Sequence, residues 1–98
     1  MTINKKVEGT KLNLALEGRL DTMTAHQLEA EFKQSIDGMT ELVLDFAALE
    51  YISSAGLRVL LSAQKVMNKQ GKMIIRNVND TVMEVFDITG FADILTIQ

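Results

Sequence analysis

Two adjacent hydroxyls, Ser53 and Ser54, stand between an apolar run, Leu42-Val43-Leu44, and a periodic apolar stripe that starts at Leu57. A serine at such a junction can be a nucleophile, a phosphoryl acceptor or a helix cap. The nucleophile elbow G-x-S-x-G needs Gly two residues before the serine, but Tyr51 and Ile52 occupy those positions. A phosphate loop, G-x-x-x-x-G-K-[ST], built on Gly71-Lys72 would need Gly at position 66 and a hydroxyl at 73; Val66 and Met73 stand there. The six glycines, at 9, 18, 38, 56, 71 and 90, are spread one to a turn and form no dinucleotide fingerprint. Asp21 and Asp45 both fall where β-segments hand over, and a converging pair could hold a cation or act as acid and base; single acids at such places more commonly cap helices and accept loop amides. His26, the only histidine, falls in the first turn of a helical pattern and reads as a solvated helix residue, since a base needs a positioned nucleophile and an orienting partner. The chain is therefore read as a binding protein with no enzymatic activity, no cofactor and no metal site.

What remains is Ser53-Ser54-Ala55-Gly56. The residue pattern places Ser54 at the N-cap of a helix, accepting from the amide of Gly56 or Leu57. A phosphoryl group on that hydroxyl would sit against unpaired amides at the positive end of the helix dipole, so the fold can carry about −1.5 to −2 of added charge. Arg58, one turn on, is placed to reach it. The same charge on a docking rim would disrupt an apolar or acidic interface, and Gly56 would let a partner approach closely.

These residues need a scaffold, and 98 residues are enough for one domain, 1–98, with a modest core. Residues 2–7 and 11–17 read as strands joined by Glu8-Gly9-Thr10, the second alternating Leu12, Leu14, Leu16 against Asn13, Ala15, Glu17. A helix follows, with Thr24 as N-cap, Gln27 completing a capping box, Met23 and Leu28 as a hydrophobic staple, and Gly38 ending it. Residues 41–45 predict an interior strand, about 55–69 a helix ended by Gly71, and 72–76 a strand parallel to the first, a βαβ crossover. Asp80 or Thr81 caps a third helix reaching about Ile88, Gly90 closes it, and the tail ends in a short edge strand. The expected fold is α/β: a mixed β-sheet in the order β-β-α-β-α-β-α-β, with helices mostly on one face.

Ten basic against 13 acidic residues, a net charge of −3, one Tyr and no Trp argue against direct nucleic-acid binding. There is no Cys, which removes disulfides and thiolate sites together. No apolar run approaches the roughly 20 residues of a membrane span, and the N-terminus lacks a signal peptide's apolar region, so a cytoplasmic location is expected.

The stretch Leu42-Val43-Leu44-Asp45-Phe46, Leu49, Tyr51-Ile52-Ser53-Ser54-Ala55-Gly56-Leu57 and Leu60 resembles a STAS domain, and more closely a bacterial anti-sigma factor antagonist. The likeness extends to Gly18-Arg19-Leu20-Asp21 with Thr24-Ala25, to Gly71 before a strand, and to Val85-Phe86-Asp87-Ile88-Thr89-Gly90-Phe91, covering nearly the whole chain. The resemblance implies a mixed sheet with helices largely on one side and a partner-switching role. The unphosphorylated form would bind an anti-sigma factor that is also a serine kinase, freeing a sigma factor; phosphorylation would release it, and a serine phosphatase would reset it. By position the acceptor is Ser54, and Asp21, Ser53 and Gly56 would line the docking surface, to which the residue reading adds Arg58. The family often has Asp before the acceptor where this chain has Ser53, which makes Ser53 the alternative acceptor. A second reading drawn from the same resemblance is a soluble STAS subunit of a bacterial lipid-transport complex.

Overall fold

The leucines at 12, 14, 16 and 20 alternate onto one face of a strand, and all four are fully shielded from solvent in a computed structural model that describes residues 1–98. Burying each stabilises the fold by about 2 kcal/mol before chain entropy is counted, so this strand anchors the sheet. The elements run β1 (Thr2–Glu8), β2 (Lys11–Leu20), α1 (Thr22–Ser35), β3 (Glu41–Ile52), α2 (Ser54–Gln70), β4 (Lys72–Arg76) and α3 (Asp80–Thr89), followed by a 3-10 turn at Phe91–Asp93. The sheet order is β1-β2-β3-β4. β1 is antiparallel to β2, while β2, β3 and β4 run parallel.

The hairpin is tighter than expected, because Glu8 and Lys11 pair directly and leave a two-residue turn. Gly9 at its first position has φ +60, the sign a II′ turn demands there. β2 runs on past residue 17 through Gly18, whose φ of +102 belongs to an irregular stretch where the pairing with β3 shifts.

The largest difference from expectation is β3, which spans 12 residues instead of five. Register with β2 advances by one residue between Ala15 and Glu17 and by one more between Gly18 and Arg19, so β3 carries two extra residues over the same length. These bulges break the alternation after Phe46, which is why Ala47, Ala48 and Glu50 read as connector in the sequence. Two insertions restore side-chain parity, and Leu49 and Ile52 both return to the core.

One cluster of 23 buried residues joins β2, β3 and β4 to all three helices. Phe46 and Phe86 meet in it with ring centroids 6.4 Å apart, tying α3 to β3. Val43 and Ile74, buried but outside this cluster, alternate onto the opposite face, so the helices lie on one side as the sequence implies. The tail forms a single parallel bridge, Ile97 beside Ile75, rather than a strand. After the left-handed Gly90 (φ +81) the 3-10 turn consumes the residues that a strand would need.

α2 ends where the chain must turn back at once into β4. Gly71 N–H donates to the Met67 carbonyl at 2.7 Å, and Lys72 N–H to the Thr40 carbonyl at 3.0 Å. A Cβ on Gly71 would run into the Thr40 peptide, a backbone group held by its own strand. Gly71→Ala is therefore expected to cost at least about 2 kcal/mol and lower Tm by roughly 10 °C, read by thermal circular dichroism.

Candidate functional site

The parallel pairing of β2 and β3 ends at Leu20 opposite Ile52, and Ser53 N–H donates to the Leu20 carbonyl at 2.8 Å. α1 and α2 both begin within two residues of that pair, so the sheet delivers two helix N-termini side by side. Four backbone amides at each helix start lack an intrahelical acceptor, which makes this rim rich in donors.

At α1 the cap is Asp21, three residues before the expected Thr24. Asp21 Oδ1 accepts from the amides of Met23 (3.1 Å) and Thr24 (3.0 Å), and Thr24 Oγ1 accepts from the Asp21 amide (2.8 Å). Thr24 thus closes the capping box rather than opening it. Its single hydroxyl proton has the Arg19 carbonyl at 2.7 Å and Asp21 Oδ1 at 3.1 Å as acceptors. Met23 is 83% exposed and staples nothing. The Gln27 side chain, expected to complete the box, donates to the Met1 carbonyl.

At α2 the cap is Ser53, not Ser54. Ser53 has extended backbone angles (φ −99, ψ 174), its Oγ accepts from the Gly56 amide at 3.4 Å, and its carbonyl accepts from Leu57 at 3.0 Å. The reason is tertiary: a cap must keep β-region angles, and the bond to Leu20 holds Ser53 in line with the strand. Ser54 becomes the first helical residue, exposed, with a hydroxyl that makes no hydrogen bond within the chain.

Gly56 is buried. A Cβ there would lie 2.7 Å from Leu20 Cγ and 2.9 Å from Ile52 Cγ1. The close approach its missing side chain permits is therefore that of α2 to its own sheet. The geometry corrects the expectation that the side-chain position opens to a partner.

Arg58 is exposed and makes no ion pair. It lines a groove of about 330 Å³ between α1 and α2, whose polar walls are Thr22, His26 and Glu29 on one side and Arg58 and Ser62 on the other. Sequence reasoning assigned no role to His26, because its position across from Arg58 depends on how the two helices pack. Nearby, the Arg19 guanidinium stacks over the Tyr51 ring at 4.4 Å, a pairing that exists only because the second bulge brings Tyr51 opposite Arg19.

Asp45 does not join this rim. It pairs with Ala15 in the strand register, five β2 positions and roughly 16 Å before Leu20. Its Oδ1 accepts from the Ala47 amide (2.9 Å) and from Asn77 Nδ2 (3.0 Å). Asn77 itself holds φ 59, a left-handed conformation that Asn tolerates. The third helix is capped by Asn79, one to two residues earlier than expected, through the Val82 amide at 2.8 Å.

The Thr24 amide bond to Asp21 pulls the carboxyl below its ordinary range of 3.8; desolvation opposes this, and the Thr24 hydroxyl, the Met23 amide and Arg19 reinforce it. A lowered native value means that the charged cap stabilises the fold above pH 3.8 and that this contribution is lost as pH falls through the lower native value. In urea titrations from neutral pH to pH 2.5, the advantage of the native chain over Asp21→Asn should be largest near neutrality and shrink at the acid end. For Gly56→Ala, overpacking against Leu20 and Ile52 costs about 1–3 kcal/mol and exceeds the helix-propensity gain of about 1 kcal/mol. Its urea midpoint should fall.

The family model of the STAS domain matches residues 2–98. BtrV of Bordetella bronchiseptica, which carries an anti-sigma factor antagonist assignment, is 42% identical over 94 residues, spanning 94% of this chain and 80% of that protein. The anti-sigma-B factor antagonist of Bacillus subtilis is 27% identical over 101 residues, spanning 100% and 93%. The structure of the Bacillus cell fate determinant SpoIIAA in its phosphorylated form superposes with a TM-score of 0.77 at 21% identity, covering 99% of this chain and 91% of that one. With its four-stranded mixed sheet, one-sided helices and serine-led second helix, the chain belongs to the STAS domain family, among the anti-sigma factor antagonists.

Proposed function

We propose that this chain is a partner-switching antagonist: unphosphorylated, it binds an anti-sigma factor that is also a serine kinase, and phosphorylation of Ser54 ends that binding. The observation that carries this reading is the division between the two serines. Ser53 is half-buried and occupied as the helix cap, whereas Ser54 is exposed with an uncommitted hydroxyl. A kinase can reach Ser54 without unfolding the helix start.

In the transfer, Ser54 Oγ attacks the γ-phosphorus of ATP, the Oγ–P bond forms as the bond to ADP breaks, and the hydroxyl proton passes to a base on the kinase. The product places about −1.5 to −2 of charge beside free amides of the first turn. That position favours the fold by about 0.3–1 kcal/mol through the helix dipole, so modification alters the surface and not the core. The docking surface comprises the rim formed by Asp21, Ser53, Ser54 and Arg58, while Gly56 lies buried beneath it against Leu20 and Ile52. A charge introduced at its centre lies where an acidic or apolar partner surface would otherwise close. A serine phosphatase, hydrolysing the phosphoester, restores the binding form. Relatives named as antagonists of anti-sigma-B and anti-sigma F factors support this class of partner.

Incubation with the cognate kinase and ATP followed by peptide mapping should place phosphate on Ser54. Ser53→Ala should still accept phosphate while losing about 0.5–1 kcal/mol of stability with its cap; Ser54→Ala should bind the kinase and accept none. Ser54→Asp should weaken kinase binding at least about tenfold while Tm stays within a few degrees. Phosphate mapped to Ser53 in the native chain would overturn the assignment.

A further inference from the structure

We propose that the groove between α1 and α2 receives the phosphoryl group of Ser54, with Arg58 and His26 as its cationic walls, so that the modified chain holds its own charge across the two helices. The inference rests on Ser54 as the acceptor and adds where the added charge goes. Along an α-helix successive residues turn by about 100°, so Arg58 stands about 40° round from Ser54 and between it and the groove-lining Ala55 and Ser62. Four residues rise about 6 Å, within the span of an arginine side chain. Arg58 is free for this role because no carboxylate pairs with it.

The opposite wall supplies His26 and the Thr22 hydroxyl. The charged groups facing His26 are Arg58 from α2 and Glu29 from its own helix. Glu29 is engaged by Lys33 at 3.6 Å, one turn further from the rim, which draws its charge away from the site. Asp21, the other acid near the helix starts, has its carboxylate bound to the amides of its own cap. A phosphate dianion seated between Arg58 and His26 would favour the protonated imidazole and be favoured by it, linking α1 to α2 through the modification. The pairing weakens where the phosphate takes up its second proton, so the phosphorylated state alone acquires a sensitivity to pH near the phosphate's second ionisation, at about pH 6.

The test installs phosphoserine at position 54 by recoded translation, so its result does not depend on which serine a kinase selects. The His26 ring-proton resonances should titrate at higher pH in the phosphorylated chain than in the unmodified one, by about half a unit or more. The phosphoserine phosphorus resonance should titrate at lower pH in the folded chain than in the same chain unfolded in urea. Arg58→Gln and His26→Asn should each return that midpoint part of the way. An unchanged His26 titration on phosphorylation would overturn the proposal, and so would a phosphorus midpoint insensitive to both substitutions. The His26 comparison needs no substitution, and both replaced side chains are exposed, so loss of fold cannot imitate either result. If the kinase marks another serine, the assignment of Ser54 as its acceptor falls while this measurement still reads the groove.

Discussion

The parallel pairing of β2 with β3 is the constraint on which the rest depends. Leu20 opposite Ile52, sealed by the hydrogen bond from Ser53 to Leu20, ends both strands at one level and forces α1 and α2 to start beside each other. β2 reaches that level in ten residues and β3 in twelve. Two bulges absorb the difference, and because they are two, the inward set of side chains survives intact. With one bulge removed, Ile52 would face away from the core, and the serine pair would enter the helix rotated from the rim.

A docking surface switched in the way proposed would have to change its charge without melting the elements that present it. Here the two demands fall on different atoms of neighbouring residues. Ser53 satisfies an orphan amide of α2, and Gly56 lets the helix settle on Leu20 and Ile52. Ser54, one step along, contributes nothing to either, and its hydroxyl is exposed and uncommitted. The Asp21 box does for α1 what Ser53 does for α2, so the groove between the helices has two fixed walls. Fixed walls matter because a charge inserted between mobile segments would be relieved by motion, whereas between capped helices it must be balanced by side chains already in place.

Much of this was legible in the chain itself. The alternating leucines of β2, the apolar run of β3, the helical stripe after Gly56 and the glycines at 9, 71 and 90 marked the elements and their order, because burial imposes periods of two and 3.6 on any sequence that folds this way. The motif around Ser53-Ser54 marked the junction of a buried strand with an amphipathic helix, where a serine caps the first turn. The third helix and its partner Phe46 were likewise visible as apolar positions, though not as a pair.

What the tertiary structure alone decided is which residue does which task. All three helix caps stand before the expected residue: Asp21 instead of Thr24, Ser53 instead of Ser54, Asn79 instead of Asp80 or Thr81. Side-chain chemistry permits any of these to cap. The choice follows from where a strand releases the backbone from β-region angles, and that point is set by hydrogen bonds to a neighbouring strand far away in sequence. The same holds for the bulges in β3, the stacking of Arg19 on Tyr51 and the placing of His26 and Arg58 on opposite walls of one groove. Composition and period determine which elements form and which faces are buried; only the register between β2 and β3 determines that the exposed serine of the pair is Ser54.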